Sequence, residues 1–421
     1  MTAAAPSARS KGVVWLGLPL NLNSIASRVT LLALLVTGTI LLARLDVSPA
    51  AIMDSRGNAV NFFRRISALD FPPLLDLAYQ TALTLGIVIT GTLLSGLASI
   101  PVAFLAASNT TPGRVWRAVG RFVGVLCRAL PDVVLAMVFA LIFSLGSLPG
   151  ILAIAIHSVG MISRLFADAI EQIDEGPRLA IRAGGGGRVQ EFCSGVLPQV
   201  FPSWCATVLH RADINLRGSV ILGYVAVPGL GLQMRNAFAA LDYGRGLAVA
   251  VVIFVLCVGM EILSSNMRRR LLAPSADRRP NRRRQLPLER SHQPYRAAST
   301  APGQRNADQL TRLLRRPLTS ARLRSWIVCG IGAGCLFGAV WVCQITWSDL
   351  WTTWERVPRV AASFWPLTAG NYGMPRLLEA LGETVAIALA AAVITLVGSW
   401  LVGSLAARNV APNGTVRAVC R

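Results

Sequence analysis

A single lysine, Lys11, stands in this chain of 421 residues, between Ser10 and Gly12. A phosphate-binding P-loop needs Gly-Lys followed by Ser or Thr, because the lysine reaches the nucleotide phosphates. That motif is missing, so the chain cannot power itself through a P-loop. Charge as a whole is scarce. Charged residues make up 14% and apolar ones 53%, with a mean hydropathy of +0.54, which excludes a soluble fold of this size. The eight cysteines (Cys127, Cys193, Cys205, Cys257, Cys329, Cys335, Cys343, Cys420) contain no Cys-x-x-Cys pair. Cys329, Cys335 and Cys343 share one apolar run at spacings that fit neither a zinc site nor a redox pair, and they read as small apolar filler. The three histidines are far apart. His157 in Ile154-Ala-Ile-His-Ser158 reads as a hydrogen-bonded packing residue rather than a ligand. With no nucleophile–base arrangement and no carboxylate pair suited to catalysis, we expect neither an enzyme nor a cofactor or metal.

What is abundant is arginine. The formal net charge of +21 would suggest nucleic acid if it were spread over a folded surface. Arg268 to Arg324 alone, however, holds 16 arginines against Asp277, Glu289 and Asp308, a net +13. This stretch is also rich in Pro, Ser and Gln, and it reads as a disordered tether beside an anionic membrane surface. No nucleic-acid partner is expected. Ser7 to Lys11 is basic, but no apolar run with a small-residue cleavage site follows closely, so no cleavable signal peptide is expected.

A bilayer core of about 30 Å takes roughly 20 apolar residues at about 1.5 Å each. On that measure spans are expected near Ile25–Arg44, Ala78–Ala107, Ala129–Gly146, Pro149–Phe166, Phe201–Leu232, Gly246–Ser265, Ser325–Ile345 and Ala380–Ala407. The fold class is then an all-α, multi-pass transmembrane helical bundle of about eight spans. The second span is long for one crossing, which predicts tilt or a kink at Pro101. The fifth carries Arg211, Asp213 and Arg217 and ends in Pro228-Gly-Leu-Gly231, which predicts a broken span lining a cavity. The basic stretches are the N-terminal tail, a loop over Arg114–Arg121, the segment Arg164–Arg188 and the stretch from Arg268. All fall on one side of the first six spans, which predicts a cytoplasmic N-terminus.

A shift of 300 residues lays Leu105-Ala-Ala-Ser-Asn-Thr-Thr-Pro112 on Leu405-Ala-Ala-Arg-Asn-Val-Ala-Pro412, and Arg117-Ala-Val-Gly-Arg121 on Arg417-Ala-Val-Cys-Arg421. Over 84–121 against 384–421, 13 of 38 positions are identical, and the matched Asn109, Pro112, Arg117 and Arg121 are more than shared apolar bias would give. A repeating unit of six spans is even, so the copies lie parallel in the membrane. The expected division is a tail (1–24), a first unit (25–267) with a polar loop at 168–200, a basic linker (268–324) and an incomplete second unit (325–421) with two spans. The second copy has no counterpart of 122–267. The chain therefore reads as a fragment of a longer two-unit protein or as a truncated gene product.

The polar stretch with most local order runs from Asp174-Glu-Gly-Pro-Arg-Leu-Ala-Ile-Arg-Ala-Gly-Gly-Gly-Gly-Arg188 to Gly195-Val-Leu-Pro-Gln199. Asp174 and Glu175 are helix-start acids, Pro177 suits a first turn, and Gly184 to Gly187 ends the helix. A second short helix, about Val189 to Val196, is predicted to stop before Pro198 and Pro202. The stretch resembles the EAA loop of type I ABC importer permeases: Glu-Ala-Ala, three residues, Gly, nine residues, Ile, one residue, Leu-Pro. Ala180, Gly185, Leu197 and Pro198 fall in register, whereas Leu179 stands at the Glu position and Gly195 at the Ile position. The run Ala169-Ile-Glu-Gln-Ile-Asp-Glu-Gly-Pro177, with Gly195-Val-Leu-Pro-Gln-Val200, is similar more narrowly to the phosphonate-type branch. The resemblance covers about Ala78 to Ser265 and again Ala380 to Arg421.

That resemblance implies a permease subunit moving phosphonate or a related phosphorus oxyanion across the inner (plasma) membrane. Its implied partners are two cytoplasmic ABC ATPase subunits and a periplasmic solute-binding protein, with the lipid bilayer as solvent. It implies that Ala180, Arg182, Gly185, Arg188, Leu197 and Pro198 couple to the ATPase. His210-Arg-Ala-Asp-Ile-Asn-Leu-Arg217 and the glycines after it resemble a family segment, which implies a path or gate role for Asp213, Asn215, Arg217, Gly229 and Gly231. Arg128-Ala-Leu-Pro-Asp132 resembles the start of a core span, which adds Arg128. Read from the residues alone, Asp213 and Arg217 share a helix face and serve a structural ion pair as readily as a substrate contact. Arg128 is by the same reasoning a topology anchor before it is part of an anion path. Other functions stay open: a permease for another small solute, an ion-coupled transporter using Asp132, Asp213 and Glu261, or a basic membrane scaffold.

Overall fold

The computed structural model describes residues 22–44, 53–65, 68–272, 320–345, 352–365 and 373–407, with positions 348 and 420. The regular structure among them is helical: α1 (Leu22–Arg44), α2 (Arg56–Arg65), α3 (Leu74–Ala106), α4 (Arg114–Ala129), α5 (Asp132–Phe143), α6 (Ser147–Glu171), α7 (Glu175–Ala183), α8 (Leu197–Leu222), α9 (Leu230–Ala239), α10 (Tyr243–Leu272), α11 (Ser320–Val342), α12 (Arg356–Ser363) and α13 (Gly373–Ala406). Five helical stretches among the described residues are long and apolar enough to cross a bilayer, or six if α4 and α5, which meet at 86°, form one broken span. The all-α, multi-pass expectation holds. The described apolar parts of α1 and α11 are shorter, Val29–Leu41 and Gly332–Val342.

The chain forms two compact units. In one, α1 lies against α13, where a side chain at Gly38 would meet Leu389 O and Val393. The other unit, 66–363, is organised around α6, the most enclosed span, with 67% of its apolar window buried. α3 lays a stripe of buried small residues, Gly91, Thr92, Ser95 and Ser99 among them, toward it. A Cβ at Gly91 would sit 3.0 Å from Ile151 O. Lipid tails are as apolar as leucine, so close backbone approach supplies the packing that water would otherwise drive. α11 meets α3 in the same way, with a Cβ at Gly86 falling 2.9 Å from Ala339 O. Between α4 and α6, a Cβ at Gly160 would lie 2.6 Å from both Arg128 N and Gly124 O. Gly160→Val is therefore expected to push α4 off α6 and lower the melting temperature of the detergent-solubilised chain by several degrees. An unchanged melt would show that α4 is not seated there.

Four expectations are corrected. Arg114–Arg121 is not a loop but the first half of α4, an amphipathic helix whose apolar side, including Val115, Trp116 and Phe122, is exposed. Its arginines lower the average hydropathy, although the 3.6-residue period is present. The span expected at Ala129–Gly146 shrinks to the 12 residues of α5, about 18 Å, because Pro131 cannot continue α4. Next, the helix expected to stop before Pro198 runs on. A turn at Arg188–Gln190 widens into π-helical Glu191–Val196 and passes into α8, with Pro198 in its first turn and Pro202 inside it. Bonds spaced i to i+5 give a proline ring room that an α-turn denies it. Finally, Arg268–Leu272 closes α10 and 320–324 opens α11, so both ends of the stretch expected to be a disordered linker are helical; 273–319 lie outside the described residues. The fifth span does break, but after Leu222: a 3-10 turn (Gly223–Val225) and left-handed Ala226 (φ 63°) precede α9. Arg211, Asp213 and Arg217 all lie in the unbroken part.

Candidate functional site

The sequence of α7 stops it at both ends. Asp174 Oδ1 accepts the Gly176 N–H at 3.0 Å, and Glu175 places a negative charge on the first turn. At the other end Gly185 has φ +80°, its N–H donates to Arg182 O, and the Gly186 N–H donates to Ile181 O, both at 3.0 Å. Those two bonds make a Schellman turn, which wants a left-handed residue between them. A Cβ at 186 would lie 2.6 Å from Ile181 Cγ2, so Gly185 is required for handedness and Gly186 for space.

The bracing of α7 was only partly legible. The Gln199 side chain accepts the Asp174 N–H at 3.1 Å and donates to Asp174 O at 3.1 Å and Gly195 O at 2.7 Å. Gly195 admits α7 closely, since a Cβ there would sit 3.1 Å from Arg178 Cα; this position stands where the family pattern carries Ile. Arg178 meets Glu175 at 2.5 Å and Glu191 at 3.3 Å, and it donates to the Asn109 carbonyl. Asn109 Nδ2 in turn donates to Ile170 O at 2.8 Å and Glu175 Oε1 at 3.2 Å. Glu171 accepts the Ser108 N–H at 2.7 Å and faces Arg117 and Arg121 at 3.7 and 3.9 Å. The polar residues that mark the internal repeat, Asn109, Arg117 and Arg121, thus converge on the α6–α7 connection. Their identity in both copies was the signal; their role needed the fold. Asn409, Arg417 and Arg421 lie outside the described residues. Beneath, Phe166 stacks on Trp204 at 4.3 Å and Phe104 meets Phe192 edge-on at 5.3 Å, tying this end to the core.

Among the expected coupling residues, Ala180, Arg182, Gly185 and Arg188 are exposed, and Arg182 and Arg188 line a cleft of about 270 Å³ with Arg178. Pro198 is exposed in the first turn of α8, whereas Leu197 packs toward the Val196–Trp204 cluster. Leu197 is a packing residue. Gln199→Leu removes three hydrogen bonds at about 1 kcal/mol each, so amide exchange across α7 is expected to accelerate at least tenfold while α6 is unaffected. Equal protection in both proteins would mean that Gln199 does not hold α7.

α8 and its surroundings hold the other group. Asp213 is 1% exposed, and Arg217 reaches Asp213 Oδ2 at 2.8 Å and Glu261 of α10 at 2.5 Å. Arg268 approaches Glu261 at 3.6 Å. The expected i, i+4 pair is present, and Glu261 turns it into a clamp between helices. Asn215 belongs to a different network: its Nδ2 donates to Thr92 Oγ1 at 2.9 Å, and its Oδ1 accepts from Ser158 Oγ at 3.2 Å. Gly229 has φ +131°, and beside it the Leu230 N–H donates to Thr84 Oγ1 at 2.9 Å. A Cβ at Gly231 would sit 2.6 Å from Val220 O, so the break is packed backbone against backbone. Arg128 ends α4 and lines a cleft of about 310 Å³ with Arg121, Arg164, Asp168 and Glu171. His157 Nδ1 lies 3.0 Å from Leu130 O, as a packing histidine would. The expected path residues therefore occupy four settings: an ion clamp, a buried amide network, a glycine-packed break and a basic cleft. Thr84, Thr92 and Ser158 were missed as their partners because nothing in their local sequence sets them apart, and Glu261, singled out as a membrane carboxylate, lies 44 residues from the arginine it meets. Among the described residues no cluster of His, Cys, Asp or Glu is placed to hold a metal.

Residues 99–273 match the family described as binding-protein-dependent transport system inner membrane component. Over 238 residues the chain is 45% identical to the phosphate-import permease protein PhnE of Mycolicibacterium smegmatis, covering 55% of this chain and 43% of that protein. Over 197 residues it is 34% identical to the phosphite transport system permease protein PtxC of Stutzerimonas stutzeri, covering 47% of this chain and 69% of the relative. It is 23% identical over 230 residues to the glycine betaine transport system permease protein OpuAB of Bacillus subtilis, covering 55% of this chain and 79% of the relative. The chain spans less than half the length of the mycobacterial protein. The matched region holds the capped α7, the Leu-Pro-Gln brace and the polar α8. On those elements and identities, the chain belongs to the binding-protein-dependent ABC transport permeases, in their phosphonate and phosphite branch.

Proposed function

We propose that this chain is the membrane-spanning subunit of an ATP-driven importer that carries phosphonate or a related phosphorus oxyanion across the inner membrane. The observation behind the reading is α7: a short, capped and exposed helix braced to α6 through Asn109 and to the start of α8 through Gln199. A push on such a helix is passed to two spans at once. ATP hydrolysis then belongs to separate subunits, two of them, docking on Ala180, Arg182, Gly185 and Arg188. A periplasmic solute-binding protein delivers the anion on the opposite side. The arginine distribution supports a cytoplasmic N-terminus, and the repeat supports two units, 25–267 and 325–421, joined by a linker. The anion class rests on relatives whose names refer to phosphate and phosphite. An ion-coupled carrier is less well supported, because Asp213 and Glu261 are both engaged by Arg217.

The test uses cells stripped of their own phosphorus-oxyanion import and expressing the full chain with its genomic partners. Uptake of radiolabelled phosphate, phosphite and methylphosphonate is expected to survive collapse of the ion gradients and to stop when ATP is drained. The opposite pattern would sink the reading.

A further inference from the structure

The two arginines deep in α8 are held very differently. Arg217 is met by two carboxylates. Arg211, near the middle of this 26-residue helix, is half-buried and has no carboxylate at ion-pair distance among the described residues. Its Nε donates to Ser158 Oγ at 3.1 Å, and both Nη groups lack an acceptor among those residues. Ser158 is wholly buried and bonded to Asn215, whose amide reaches Thr92. A network across α3, α6 and α8 therefore aims the guanidinium and leaves its fork free. Asp132, at the start of α5, attracts Arg211 from a distance, while its Oδ1 accepts the Val133 N–H at 2.9 Å. A charge at this depth is costly unless something meets it, and the planar fork matches two oxygens of a tetrahedral oxyanion.

We infer that Arg211, aimed by Ser158 and Asn215, is a mid-membrane contact for the transported oxyanion. This rests on the import of a phosphorus oxyanion proposed above. Capture from solution belongs to the separate binding protein, so the effect falls on the maximal rate and not on the half-saturating concentration.

The experiment compares Arg211→Gln, Arg211→Lys and the charge-balanced double variant Arg211→Gln/Asp132→Asn in the same cells, with phosphate, phosphite and methylphosphonate as probes. Size-exclusion profiles check that each variant folds. Arg211→Gln is expected to lower the maximal uptake rate at least about tenfold, the factor for one lost charge-assisted hydrogen bond. Arg211→Lys keeps the charge but not the fork, so it is expected to recover only part of that loss. The double variant separates the roles. If Arg211 served only to balance Asp132, removing both charges would restore uptake; an anion contact leaves the double variant impaired. Rescue by the double variant, or normal uptake by Arg211→Gln, overturns the inference and leaves the proposed function standing. A wild-type chain that moves none of the three anions overturns both.

Discussion

Gly185→Val is expected to abolish ATP-driven uptake while the chain still inserts and folds. The Gly185 backbone is left-handed at φ +80°, and its N–H and that of Gly186 close the Schellman turn that ends α7. A residue with a branched Cβ in that conformation costs about 1–3 kcal/mol. A Cβ here would meet nothing within 4 Å, so the cost lies in the backbone conformation alone, and unwinding the turn relieves it. α7 would then lose its defined end just where Arg182 and Arg188 are presented. Asn tolerates the left-handed region far better than other side chains, so Gly185→Asn is expected to keep much of the uptake that Gly185→Val loses. If the two variants behave alike, the turn conformation is not what matters. If valine transports at the normal rate, α7 is not the coupling element.

The largest stability effect is expected at the ion clamp. Arg217→Met leaves Asp213, 1% exposed, without the cation that meets it at 2.8 Å, beside Glu261 of like charge. Stranding one member of a fully buried pair costs about 3–5 kcal/mol, and the half-exposed Arg217 brings the expected cost below that range. Asp213→Asn should cost much less, since Arg217 keeps Glu261. The double variant Asp213→Asn/Arg217→Met should recover most of the loss, because the stranded carboxylate is gone. Thermal unfolding in detergent of the three variants gives the ranking. An Arg217→Met protein as stable as the wild type would show that Asp213 is neutral or watered in the folded chain, and the clamp would not be structural.

Some elements could be read one residue at a time. Asp174 and the four glycines bounded α7 correctly, because capping and left-handed turns depend on a residue's own side chain and φ. The pairing of Asp213 with Arg217 followed from helical spacing alone. α4 was misread because an averaged hydropathy hides an amphipathic helix when arginines line one side of it. Pro198 misled in the opposite direction. A proline does end an α-helix, but the π-turn before it was an available alternative that no local rule announces.

By itself the sequence determined an all-helical membrane chain with no P-loop, the capped polar segment after α6, the internal repeat and the resemblance that the comparisons bore out. Each is a local or periodic property: hydropathy, turn chemistry, spacing and register. Only the tertiary structure decided that Asn109, Arg117 and Arg121 brace α7, that Gln199 ties it to α8, and that Glu261 closes the clamp on Arg217. The same holds for Arg211, aimed by Ser158 with its fork free. These partners lie 25 to 66 residues apart and on different helices in most cases, and which helix faces which is set by the small-residue contacts at Gly91, Gly160 and Gly195. A glycine in a sequence says that a close approach is possible, and only the packed helices say what approaches it.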